Sequence, residues 1–197
     1  LNHYLDKGYH FEDCGDTITD SRDGQKYATV CIEEQIWMAE NLNWAGAGVC
    51  YDDNSSNCLN YGRLYNIQEV TNLKTSTDTS VVRGICPEGW HVPSTKEYER
   101  LFELCGGITL AADKLRSKTG WPSPHSDTFG FNLKSGGHKT GDDQNDRFQN
   151  MGDDAKLWTS TKVGSYYEAV TAYHPSIAIG NYSPEWRFSC RCVKDKE

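Results

Sequence analysis

The sequence predicts an α+β domain stapled by disulfides, and three observations carry that prediction. A capped amphipathic helix is written into residues 94–107, strand-like runs separated by Gly, Pro or Ser fill 156–194, and eight cysteines are spread along the whole chain. The 197 residues suffice to bury a sizeable core, and no shift of composition marks an interior boundary.

Charge and patterning exclude several function classes. The net charge is −8, and the 20 Lys and Arg are scattered rather than clustered, which argues against nucleic acid as a partner. No apolar run approaches the roughly 18 residues that would make a membrane span. The opening "LNHYLDKGYHFEDCGD" has neither the charged nor the apolar region of a signal peptide. Because the chain starts at Leu1, it is expected to be a mature or excised piece of an exported protein, extracellular or on the cell surface. The cysteines stand at positions 14, 31, 50, 58, 86, 105, 190 and 192, without the paired CxxC or HxxxH spacing of zinc sites. Four disulfides in an exported domain is the reading that fits, with about 105 connectivities open to eight cysteines.

Taken in order, "DGQKYATVCIEEQIWMAENL" opens with a turn at Asp23 and Gly24 and supplies β-branched and aromatic residues up to Ile32, the pattern of a strand. "GVCYDDNSSNCLNYGRLYN" reads as a polar loop, and Cys50 and Cys58, eight positions apart, are expected to pin it locally. From Leu64, apolar residues at Ile67, Val70 and Leu73 predict a two-turn helix over 65–73. In "CPEGWHVPSTKEYERLFELCGG", Ser94 and Glu97 form a capping box. Tyr98, Leu101, Phe102 and Cys105 then share one face until Gly106 and Gly107 end the helix. Residues 118–156 are a long polar loop, which in a compact domain is usually functional. "KLWTSTKV", "SYYEAVTAYH", "SIAIGNY" and "WRFSCRCVK" predict a C-terminal antiparallel sheet.

Six blocks, "IEEQIWMAENLNW", "CYDDNSSNCLNYGRLYN", "CPEGWHVPSTKEYERL", "GFNLKSGG", "LWTSTK" and "FSCRCVKD", come in the order and at about the spacing of the Fibrobacter succinogenes major paralogous domain. The chain resembles that family from roughly Gly24 to Asp195. The resemblance implies a single domain over 24–197, with residues 1–23 an N-terminal extension packed on it. It further implies a C-type lectin-like fold, in which two main helices flank small antiparallel sheets beside a long loop region. No catalytic residues come with it. Trp37, Asn41, Gly62, Arg63, Cys86, Gly89, Trp90, His91 and Cys192 match its motif positions and are read as framework. The family pattern also implies a Cys86–Cys192 disulfide, which leaves Cys190 for Cys105 and Cys14 for Cys31.

This frame offers several chemistries. Cys86 with His91 as nucleophile and base would need a free, activated thiol. Copper bound by Cys190 and Cys192, by analogy with the formylglycine-generating enzymes of the same fold, would need wider spacing than one intervening residue. Calcium is a possible cofactor at Asp142, Asp143 and Asp146 in "GDDQNDRF", although the spacing is not that of an EF-hand loop. Trp37, Trp90 and Trp158 read as core. Trp121, Tyr166, Asn181, Tyr182, Glu185 and Trp186 are the candidate ligand-binding residues, since aromatic faces beside Asn and Glu suit sugar rings. The expected function is therefore non-catalytic recognition of a polysaccharide or surface glycan. A protein-binding adhesion module is the alternative, because Tyr and Trp also anchor protein interfaces.

Overall fold

The structure, a computed structural model, describes residues 15–74, 81–141, 146–173 and 175–196. Among the described residues there are three antiparallel sheets and four α-helices. The first sheet has the order β1-β2-β3-β10-β4, built from β1 (Thr17–Thr19), β2 (Lys26–Ile32), β3 (Gln35–Met38), β10 (Val193–Lys194) and β4 (Trp90–His91). The second pairs β5 (His138–Lys139) with β6 (Phe148–Gln149), and the third is the meander β7 (Asp154–Val163), β8 (Tyr166–Tyr173) and β9 (Ser176–Tyr182). β10 is short, but it joins the two ends of the chain. Val193 faces Trp37 on one side and His91 on the other.

The helices follow from local chemistry. α3 (Thr95–Leu104) starts at the expected capping box, with Ser94 accepting from the Glu97 amide and the Glu97 carboxylate accepting from the Ser94 amide. It buries Tyr98, Leu101 and Phe102. α2 (Ile67–Thr71) is shorter than the apolar spacing predicts. Asn66 caps it in a second box with Glu69, and Leu64 and Tyr65 are extended instead, bridged to Val49 and Phe188. Two further helices lie where no helix was expected. α1 (Ser55–Tyr61) sits inside the Cys50–Cys58 loop and buries only Cys58, so it has no apolar periodicity to read. α4 (Ile108–Leu115) follows Gly107, which offers no side-chain cap and resembles a stop signal.

The core is two apolar clusters separated by strands whose alternate residues face opposite ways. Leu157 and Val170 enter the cluster under α3 and α4. Their neighbours Trp158 and Ala169 enter the one around Tyr65, Trp90 and Phe188. Trp37 and its neighbours Ile36 and Met38 divide in the same way. Trp37, Trp90 and Trp158 are all buried.

This division corrects one disulfide. Cys105 and Cys190 are free thiols, not partners, because Cys105 lies in the first cluster and Cys190 in the second. Cys190 and Cys192 do share a strand face, and that face looks at Cys86: the three sulfurs lie within 4.8 Å of one another. Disulfides join Cys50 to Cys58 and Cys86 to Cys192. Cys31 is also disulfide-bonded; its expected partner, Cys14, lies outside the described residues.

Candidate functional site

α1 ends on Gly62, and this glycine sets the geometry of an open surface lined by polar residues. Its φ is +76°, and a Cβ there would stand 2.7 Å from the Asn41 Cβ, so the chain turns sharply and close against Asn41. Tyr61, just before it, packs over Gly136, where an added Cβ would meet the Tyr61 Cβ at 3.2 Å. The Cys50–Cys58 bond anchors the same helix, and Cys58 itself lines the first cavity. Asn60 and Tyr61 are thereby held as a rib between two adjoining cavities, which also share Lys134.

The first cavity, of about 120 Å³, is lined by Lys26, Glu40, Asn41 and Asn43 as well as the rib. The second, of about 190 Å³, is lined by Ser117, Thr119, Asn132 and Ser135. Each is small beside the roughly 300–1,000 Å³ of an enclosed small-molecule pocket; the first is lined more by polar than by apolar surface and the second by both about equally. Together they form a trough that exposes Asn60 and Thr119, with Tyr61 between the cavities and Tyr27 lining the first; the Ser117 and Ser135 hydroxyls are buried and donate to backbone carbonyls. Lys134 stands at the crossing, its Nζ donating to the Asn60 carbonyl at 2.8 Å. Asn43 Oδ1 is buried without a hydrogen-bond partner beside the first cavity.

Under the trough lies Arg191, which is fully buried. Its guanidinium donates to Asn41 Oδ1 at 3.2 and 2.8 Å, to the Asn132 carbonyl at 3.3 Å and to the Phe131 carbonyl. It also stacks over the Phe131 ring at 4.4 Å. Burial pulls its pKa down to about 10, still far above neutral, so a cation without a carboxylate hydrogen-bond partner braces both cavities. Cys190 and Cys192 face one core cluster, and the residue between them must face the other way, which is how Arg191 reaches this position.

The candidate residues named from the sequence are dispersed. Trp121 is buried, donates its indole N–H to the Leu133 carbonyl at 3.0 Å and carries Arg116 over its ring at 4.5 Å, so it offers no free face to a sugar. Tyr182 and Trp186 are half-buried neighbours, 5.5 Å between centroids, and Trp186 is stacked on buried His138. Asn181 and Glu185 are exposed on the same turn, and the Glu185 carbonyl packs against Gly141 so closely that a Cβ there would clash at 1.8 Å. Tyr166 is exposed at the tip of the β7–β8 hairpin. Thus the Asn181–Trp186 turn stays together, while Trp121 belongs to the core. Asp146 pairs with Lys139 at 2.9 Å, and Asp142 and Asp143 lie outside the described residues.

The thiol and histidine chemistries lose their components. Cys86 and Cys192 are bonded to each other. Burial raises the Cys190 thiol to about 12 and the Cys105 thiol to about 11, so neither is a thiolate at neutral pH. His91 has both ring nitrogens engaged, Nδ1 with Asp195 at 2.6 Å and Nε2 with Glu97 at 2.8 Å. Burial would lower its pKa, but the hydrogen bond and charge of Glu97, followed by those of Asp195, raise it overall. The Glu97 carboxylate is raised by burial and lowered further by His91 and by Ser94, so it ends below its ordinary value.

This latch ties the last strand to the start of α3 and makes stability depend on pH from both sides. The His91 contribution is fully present below its ordinary value of 6.5 and is lost as pH rises through the raised folded value. That of Glu97 is present above 4.5 and is lost as pH falls through the depressed folded value. Urea midpoints measured across pH should therefore peak between those two ordinary values. His91→Gln should flatten the alkaline side of the curve.

The sequence model of one family, the Fibrobacter succinogenes major domain, matches residues 30–194. No curated protein and no solved structure matches the chain.

Proposed function

The chain belongs to the Fibrobacter succinogenes major domain family, and on that premise we propose that it is a non-catalytic recognition domain of C-type lectin-like architecture. It acts outside the cell or at its surface, and its ligand is a polysaccharide or surface glycan. The observation that carries this reading is the amide- and hydroxyl-lined trough crossed by Tyr61. Asn60 and Thr119 are exposed there and both donate and accept, as sugar hydroxyls do, whereas Asn41 is held by Arg191 and the Tyr61 carbonyl; an aromatic ring takes the C–H face of a pyranose. Glycosidic hydrolysis by the usual route takes two flanking carboxylates. The described lining residues include one, Glu40, and its Oε2 already accepts from the Ala28 amide at 2.9 Å.

Two small cavities that share a rib suit adjacent units of a chain laid across the surface. Calcium is not required by this arrangement. The reading is tested by affinity electrophoresis of the domain against a panel of neutral and acidic plant and bacterial polysaccharides, with and without EDTA. Retardation by at least one polymer is expected, insensitive to EDTA and weakened about tenfold or more in Tyr61→Ala. Trp186→Ala should leave it intact. No retardation on any polymer would transfer the function to the protein-binding alternative.

A further inference from the structure

We propose that the trough takes an acidic glycan and that Lys134 reads the carboxylate of a uronic acid residue seated on Tyr61. This rests on the glycan-binding reading and narrows its ligand class. Lys134 lines both cavities, at their shared rib. Its ammonium has three donors, one of them given to the carbonyl of Asn60, the residue before Tyr61, so that bond anchors it at the rib while the other donors point elsewhere. A uronic acid carries its carboxylate at the rim of the pyranose ring, in reach of a cation beside the aromatic that stacks on the ring face.

The local charge balance supports an anion despite the acidity of the whole chain. Net charge is −8, but at physiological salt a charge is screened beyond about 8 Å, so groups in the trough dominate. Those groups are Lys26, Lys134 and Glu40, with Arg191 beneath them offset by Asp127, whose Oδ1 accepts from the Asn132 backbone amide at 3.0 Å; Lys134 is the charged residue lining the second cavity, and Glu40 lines only the first. The exposed amide of Asn60 and hydroxyl of Thr119 remain for the sugar hydroxyls on either side, while the Asn132 side-chain amide nitrogen is held by the Ala39 carbonyl at 3.4 Å.

The experiment compares polygalacturonate and alginate, each beside its fully esterified form, with neutral glucans as a third arm. The wild-type domain should bind at least one uronate polymer about tenfold or more tightly than the ester of that polymer, the factor expected when a charge-assisted hydrogen bond is lost. Lys134→Gln should bring the acid down to the level of the ester, and Lys134→Arg should retain the preference. Raising sodium chloride should weaken only the acid. Equal binding to acid and ester, or to neutral glucans alone, overturns the inference while leaving glycan binding standing. No binding to any polymer overturns both. The acid-to-ester ratio of the wild type decides the matter even if Lys134→Gln fails to fold.

Discussion

Replacing Cys86 with serine is expected to destabilise the domain by on the order of 4 to 5 kcal/mol, and replacing Cys192 is expected to cost distinctly less. The Cys86–Cys192 bond spans a sequence separation of 106 residues, so in the chain-entropy model it restricts the unfolded ensemble strongly. Against a total stability of about 5–15 kcal/mol for a typical domain, such a loss leaves little reserve at 37 °C. The Cys192 variant differs because the Cys190 thiol already lies within 4.8 Å of the Cys86 sulfur, on the same strand face. During oxidative folding, Cys86 and Cys190 can close a replacement bond by the same two-electron oxidation that forms the native one. Urea denaturation should rank the variants in that order, and a Cys86–Cys190 linkage should be found by peptide mass mapping of Cys192→Ser. In the wild type the neighbouring thiol stays inert, since its pKa of about 12 leaves almost no thiolate to attack the bond. Equal destabilisation by the two substitutions, or no such linkage, would contradict the placement of Cys190.

Arg191→Met is expected to cost about 3 kcal/mol or more. The substitution removes the donors that satisfy Asn41 Oδ1 and the carbonyls of Phe131 and Asn132, all of them close to a fully buried side chain. Each orphaned acceptor carries a desolvation penalty of about 1–3 kcal/mol, which outweighs the gain from no longer burying a cation. Arg191→Lys should not restore stability, because one ammonium cannot reproduce a planar fork that serves three acceptors and stacks on Phe131. Because Asn41 lines one cavity and Asn132 the other, both substitutions should also weaken ligand binding at temperatures where the variant remains folded. A loss under about 1 kcal/mol would show that water replaces the guanidinium.

The elements that were legible in the sequence are those with local signals. The capping box of α3 involves Ser94 and Glu97 and no distant residue, and the meander from β7 to β9 announces itself by alternation and turn residues. α4 was hidden because its N-cap is Gly107, and a glycine pair after a helix reads as a stop. The Cys105–Cys190 expectation failed on a tertiary fact: which side of the sheet each cluster occupies is not encoded in the spacing of the cysteines. Trp121 looked exposed between Gly120 and Pro122, but the long loop folds inward and gives its indole a buried partner at the Leu133 carbonyl. The trough was missed for a related reason. Asn60 and Tyr61 belong to "CLNYGRLYN", and Asn132, Lys134 and Ser135 to "GFNLKSGG", two blocks more than 70 residues apart that read separately as framework. Only the packing of Tyr61 on Gly136 brings them to one surface.

The trough, rather than the turn from Asn181 to Trp186, is expected to meet a glycan. Amide and side-chain NMR shifts recorded while a bound polysaccharide's oligosaccharide is titrated into the labelled domain test this most directly. Perturbations should centre on Asn60, Tyr61, Asn132 and Lys134, with Tyr182 and Trp186 unmoved. Shifts gathered at Tyr182 and Trp186, with the trough silent, would contradict it.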